Sequence, residues 1–365
     1  MLTKRRKILF CSIILAFSAV VFVLLAELAL RAKGSYLSWS EKNQFKYASP
    51  YLVLDSWYMT RIPNSKGKYD QLEFDFDCDT NSFGLRDQEW KQEKPTGVTR
   101  ILALGDSFTE GQGAELKNSY PKILEDELRG EGYAVEVFNA GRAGSDPFFQ
   151  YVLLRDKLLR LSPDVVLVMI NTTDVNDVVR RGGMERFHKN GTVVPPRQPK
   201  TETLYEHSHL FRFINHNVLG RDSFFLTREQ RDSLARDARP KLVEAAELFL
   251  ALAAEHDFRF VAIIQPMPRQ LRKSEPPMPT VAHLLSERGI AFVDAAPAMR
   301  KVISADQPVA QLFWKMDGHY NAGGYAALAS AVRTGLHEQK VFQQPGNGGD
   351  KQDSPPPAVS IGSTN

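Results

Sequence analysis

The chain has 365 residues, 43% of them hydrophobic and 24% charged, enough apolar material for one large core or two ordinary ones. Lys and Arg total 46 against 43 for Asp and Glu, a net charge of +3. Beyond the first few residues no segment gathers several basic side chains without acids among them, which excludes a nucleic-acid binder.

The N-terminus is different in kind. Lys4-Arg5-Arg6-Lys7 precedes an uncharged run over 8–26, which only Glu27 interrupts before Leu28-Ala29-Leu30. As a helix rising about 1.5 Å per residue, residues 8–30 reach roughly 34 Å, enough to cross a hydrocarbon core of about 30 Å. A cleaved signal calls for a shorter apolar region and a small-x-small site behind it, and none follows Glu27. Residues 1–31 therefore read as a basic cytoplasmic tip and an uncleaved anchor. The four basic residues before the span place the N-terminus in the cytoplasm and the rest on the extracytoplasmic side, which is the periplasm if the cell is Gram-negative. Cys11 falls in the span, so Cys78 has no disulfide partner in the exported part and reads as a small buried hydrophobe.

Residues 32–98 carry aromatics and turn residues (Tyr36, Trp39, Trp57, Pro63, Gly67) without a helical period, and read as an irregular extracytoplasmic lead-in used for spacing and packing. From residue 99 to 340 the pattern is that of one domain. Short apolar runs at 101–104, 134–138, 165–170, 260–264 and 290–293 alternate with helix-like stretches near 120–128, 148–161, 242–256 and 281–287, and a last helix follows Asn321. Continuous apolar strands alternating with helices predict a parallel sheet covered on both faces, a three-layer α/β/α domain. A polar insertion at about 178–231, far longer than an ordinary connection, is placed to cover a site. The tail, 341–365, has too little apolar content to offset the entropy of ordering and is expected to be disordered.

Ligands of open parallel sheets bind outside the carboxyl ends of the strands. The first strand delivers Gly105-Asp106-Ser107, the second Asn139 to Gly144, the third Asn171-Thr172-Thr173-Asp174, and Asp317-Gly318-His319 follows the last. These are the parts of a hydrolytic serine site. Ser107 supplies a nucleophile, His319 a base, and Asp317 a carboxylate that fixes the imidazole, while Gly144 permits a close backbone approach for an oxyanion hole. The alternatives are a turn serine, a loop histidine and glycines that only permit tight turns.

These residues resemble the SGNH, or GDSL-type, hydrolases. GDSFTEG (105–111) is similar to the family's first block, NAGRAG (139–144) to its second, and DGHYNAGGY (317–325) to its last; the resemblance spans roughly 80–335, including NSFGLRDQEW at 81–90. The Asp-x-His spacing is similar to that of membrane-anchored bacterial branches. The resemblance implies the flavodoxin-like SGNH hydrolase fold, a Ser107-His319-Asp317 triad, and oxyanion donors from the Ser107 and Gly144 amides. One block departs from the pattern: Thr173 stands where the family usually carries an oxyanion asparagine. Thr173 itself, Asn171, or Asn176-Asp177 after a bulge are the candidates to replace it.

His207-Ser208-His209 with His216 sit in a loop with no obvious third carboxylate or cysteine ligand nearby, so no metal is expected, and no cofactor is required. Arg180, Arg181, Arg197 and Lys200 could meet an anionic or saccharide substrate, though exposed loop charges usually only solvate a loop. Taken together, the sequence reads as a membrane-anchored extracytoplasmic serine ester hydrolase. Its expected substrates are O-acyl esters, either acetyl groups on an envelope polysaccharide or lipid acyl chains. The alternatives are an acyltransferase using the same three residues, or a catalytically decayed polysaccharide-binding or assembly protein.

Overall fold

The protein is described here by a computed structural model covering residues 3–33, 60–188, 192–194, 199–303 and 309–342. Most of the lead-in before Thr60 and the expected disordered tail from residue 343 lie outside the described residues.

Five strands form one parallel sheet: β3 (Thr99–Gly105), β4 (Val135–Gly141), β5 (Val165–Ile170), β6 (Arg259–Ile264) and β7 (Phe292–Asp294), with β1 and β2 a separate hairpin described below. Their spatial order is β4-β3-β5-β6-β7. Ala103 aligns with Asn139 on one side and Leu167 on the other. The chain moves outward from β3 to β4 and then returns past it to β5. The carboxyl end of β3 is therefore the switch point, where two crossovers depart in opposite directions and leave a crevice.

Both faces of the sheet are covered, which is why the strands read as continuous apolar runs. Leu102, Leu104, Val166 and Val168 pack with side chains of α4 (Pro147–Leu153), α8 (Arg228–His256) and α10 (Pro279–Glu287). Ile101, Ala103 and Leu167 pack on the other face with α3 (Tyr120–Gly130), α11 (Ala295–Val302) and α12 (Ala322–Glu338). Leu102 and Leu104 have no exposed surface, and burying each stabilises the fold by about 2 kcal/mol.

Two departures of the element boundaries from the sequence reading bear on the site and its cover. Helix α8 begins at Arg228, not near 242, because Thr227 and Gln230 form a reciprocal capping box ahead of an internal Pro240 that hides the helical pattern. Strand β4 continues through Asn139, Ala140 and Gly141, so the second block starts inside the sheet.

The lead-in does more than space the domain. β1 (Lys68–Asp70) and β2 (Asp75–Asp77) form an antiparallel hairpin whose Phe74, Phe76 and buried Cys78 pack against Tyr69 and Trp314. At the other end of the chain, α1 (Lys4–Lys33) is long and apolar enough to cross a membrane, with a best-window mean hydropathy of 3.0 and no residue of that window buried. Helix α5 (Thr172–Arg181) runs into the insertion, whose described residues include the short α-helices α6 (Glu202–His207) and α7 (His209–Phe213) and the helical turns Met184–Arg186 and Ile214–Val218.

Candidate active site

Strand β3 ends at Gly105, and Asp106 caps the single-turn α2 (Ser107–Glu110), its carboxylate accepting the Phe108 N–H at 2.9 Å. Capping by an aspartate satisfies one of the orphan donors at a helix start, so the turn that presents Ser107 is fixed locally. The Ser107 Oγ lies 2.7 Å from His319 Nε2, and His319 Nδ1 lies 2.5 Å from Asp317 Oδ1. Ser107 and His319 are 212 positions apart in the chain. Gly318, at φ +88°, takes the left-handed turn that sets carboxylate and imidazole side by side. The Phe108 ring packs 4.5 Å from the imidazole, centroid to centroid, and holds it from below.

Burial pushes the Asp317 carboxyl up, but the hydrogen bonds and charge of His319 outweigh it and hold the group below the ordinary carboxylate value. Such a carboxylate stays ionised and accepts the Nδ1 proton, leaving Nε2 free to take one from a hydroxyl. His319 therefore carries its proton on Nδ1, facing Asp317.

The second block lies beside this chain of groups. Gly144 has φ +78°, and its carbonyl accepts Arg181 Nη1 at 2.6 Å. The preceding Ala143 N–H donates to Glu110 at 2.5 Å, and the Ser145 hydroxyl donates to the Gly105 carbonyl at 3.0 Å. Gly141 permits the close approach of α2 to β4: a Cβ there would come within 2.2 Å of the Glu110 nitrogen. Among the described residues no acceptor takes the N–H of Ser107 or of Gly144. An oxyanion hole needs backbone donors of this kind.

Thr173 and Asn171 are both at the site but are engaged elsewhere. Asn171 Nδ2 donates to Asp106 Oδ2 at 3.0 Å, while the Thr173 hydroxyl sits 2.6 Å from Asn171 Oδ1 and 3.1 Å from Asp106 Oδ2. Asn171 also caps α5 in a reciprocal box with Asp174. Asn176 is exposed on α5, and no bulge brings it round. The third block thus buttresses Asp106 from the side.

Sequence reasoning missed the residues that hold these segments. Glu73, in the hairpin turn of the lead-in, accepts the N–H groups of Met316 and Asp317, each at 2.8 Å. Arg61 donates to Glu110 Oε1 at 2.9 and 2.7 Å. Burial raises the Glu110 carboxyl, and Arg61, Arg142 and the Ala143 N–H pull it below its ordinary value. Glu110 stood within the quoted first block, but nothing local marks Arg61 or Glu73.

Arg181 corrects the reading of loop charges that only solvate. It is buried, reaching both Gly144 and Asp146, and the buried Arg186 pairs with both Asp146 oxygens at 2.7 and 2.8 Å. Arg197 lies outside the described residues. Of the insertion histidines His207, His209 and His216, His216 has both ring nitrogens bonded, to Tyr205 Oη at 2.9 Å and the Arg221 carbonyl at 2.7 Å, while His209 is buried and His207 exposed.

Residues 103–284 match the model of the GDSL-like Lipase/Acylhydrolase family. Among curated proteins none matches the chain in sequence. Similar solved structures include a lipase/acylhydrolase from Enterococcus faecalis, 13% identical, covering 68% of this chain and 100% of that one with a TM-score of 0.38. An acetyl xylan esterase is 12% identical, covering 65% of this chain and 99% of its own with a TM-score of 0.40. A two-domain esterase active on acetylated mannans, crystallised with mannopentaose, is 12% identical over 68% of this chain and 51% of that one, with a TM-score of 0.40.

Proposed function

Because the chain belongs to the GDSL-like lipase/acylhydrolase family and is an SGNH-type esterase, we propose that it cleaves O-acyl esters through Ser107, His319 and Asp317, on the extracytoplasmic side of a membrane that α1 spans. The observation that carries this reading is the unbroken line of contacts from hydroxyl to imidazole to carboxylate, 2.7 and 2.5 Å long.

In this mechanism His319 Nε2 takes the Ser107 proton as Oγ attacks the acyl carbon, and the carbonyl oxygen becomes an alkoxide. The free N–H groups of Ser107 and Gly144 receive that charge. Asp317 stabilises the imidazolium without itself taking the proton. The imidazolium then protonates the departing alcohol oxygen, which leaves an acyl-Ser107 ester. Water attacks this ester, losing a proton to His319, which hands it to Ser107 Oγ as the acyl–oxygen bond breaks; the carboxylic acid departs and the hydroxyl is regenerated. The acyl group belongs to an envelope polysaccharide or a lipid. The extracytoplasmic placement that brings it to such substrates is supported by the apolar run of α1 and by the four basic residues that precede that run, which favour an outward-facing domain.

Turnover of a short-chain nitrophenyl ester by the full chain in detergent, compared with Ser107→Ala, tests the mechanism. The substitution is expected to remove all but a background rate, together with labelling by a fluorophosphonate. Equal rates in the two proteins would refute it.

A further inference from the structure

The insertion carries a set of apolar side chains that lie outside the cores around the sheet and the hairpin, half of them partly covered within the insertion and half exposed. Leu204, Leu210, Ile214, Val218, Leu219 and Leu226 belong to none of the three core clusters, nor do they pack against one. Leu204, Val218 and Leu219 are 51, 66 and 48% exposed. In a water-soluble surface such a concentration within about twenty residues is unusual and marks a place where something apolar is met.

The same segment is fastened to the end of α1. Glu27 accepts the Ser208 hydroxyl at 2.9 Å and the backbone N–H groups of His209 and Leu210 at 3.0 and 2.8 Å, while Arg31 completes its shell at 2.7 Å. Ala26, Glu27 and Leu30 are partly covered, in contrast to the exposed rest of the apolar run. At about 1.5 Å per residue, Glu27 lies roughly 5 Å inside the outer end of a span that stops at Leu30. A carboxylate at that depth requires donors, and the start of α7 supplies them. The contact therefore sets α7 and its neighbours at the level where headgroups give way to acyl chains.

We propose that residues 204–226 form a membrane foot, whose apolar side chains enter the outer leaflet of the same bilayer that holds α1, with Glu27 as the clasp. This rests on the membrane-anchored reading above. Short helical segments rich in Leu, Ile and Phe bind in that manner, in the plane of the interface. The catalytic domain is then seated on the lipid surface in a fixed orientation and does not swing on a tether. The occupant is the bilayer because α1 and the apolar set are joined by direct bonds at one end of one helix.

The test places nitroxide labels on the full chain in phosphatidylethanolamine/phosphatidylglycerol vesicles, with Cys11→Ser and Cys78→Ala as background. Leu204→Cys, Val218→Cys and Leu219→Cys carry the label in turn. Phe17→Cys reports the span, and Leu250→Cys, an exposed apolar position on α8, reports the water-facing domain. The foot labels are expected to be shielded from an aqueous nickel chelate about fivefold relative to position 250, and Glu27→Ala to abolish that shielding. If they relax like position 250 while position 17 stays shielded, the foot is refuted and the anchor stands. If position 17 is itself open to the chelate, the span fails and the foot with it. Ester hydrolysis by each labelled protein at the parent rate shows that the domain is folded.

Discussion

The carboxylate of Glu73, in the turn of the lead-in hairpin, accepts the backbone N–H of Asp317 at 2.8 Å across 244 residues of sequence. It takes the Met316 N–H with the same oxygen, so the carboxylate next to His319 is held from its backbone side by a segment that precedes the whole sheet. Removing the acceptor leaves two N–H groups to find water and frees the loop to move. Glu73→Ala is expected to lower kcat about ten- to a hundredfold with KM little changed, a cost of the size seen when catalytic groups lose about 1 Å of alignment. Glu73→Gln keeps an acceptor oxygen and should recover most of the rate. Steady-state kinetics of the two variants decides this; equal losses in both would assign Glu73 a different role.

Thr173 stands where the resemblance places an oxyanion asparagine, yet its hydroxyl is occupied by Asn171 and Asp106. A side chain donating to the transition state typically supplies a factor of about a hundred or more in kcat. Thr173→Val is expected to cost less than about tenfold in kcat/KM. A loss of a hundredfold, with the melting temperature unchanged, would show that Thr173 turns into the site during the reaction.

Asp146 is fully buried, caps α4, and is matched by Arg186 and Arg181. Arg186→Met removes the guanidinium that reaches both Asp146 oxygens and leaves the buried carboxylate with Arg181, 3.3 Å away, as its charged partner. It is expected to destabilise the domain by about 1–3 kcal/mol, read as a lower urea midpoint. Asp146→Asn paired with Arg186→Met should recover part of that loss, since the under-paired carboxylate is then neutral.

Asp177, on α5, has its carboxyl pushed up to about 6 by burial and by Asp146, against the pull of Arg181 and Arg180. In the unfolded chain an aspartate titrates near 3.9. Between those values the folded state holds the proton more tightly. Its contribution is present in full below about pH 4 and is lost as pH rises through about 6. Asp177→Asn has no proton to lose. Relative to the parent it is expected to gain about 1–3 kcal/mol at pH 7.5 and much less at pH 4.5. Thermal denaturation of both proteins at the two pH values checks the sign.

The sheet and the three side chains that meet at its edge, Ser107, His319 and Asp317, were legible because each is written locally. Apolar runs such as Val165 to Ile170 announce buried parallel strands, and Gly105-Asp106-Ser107 and Asp317-Gly318-His319 stand where those strands or their successors end. What supports them was not legible. The bonds from Glu73 to Asp317, Arg61 to Glu110 and Arg181 to Gly144 join segments whose separation no periodicity encodes. The early start of α8 was hidden by Pro240, and Arg181 looked like a loop charge because burial is decided by what folds over a residue.

On the proposed mechanism, the 212 positions between Ser107 and His319 also set when the chemistry can begin. With the domain exported as proposed, the strand bearing the hydroxyl would emerge first and the imidazole near the finish, so the chain would carry half a machine until its last helix docked. Esters met along the way would be safe from it, and a clipped product lacking the C-terminal segment would be inert from birth.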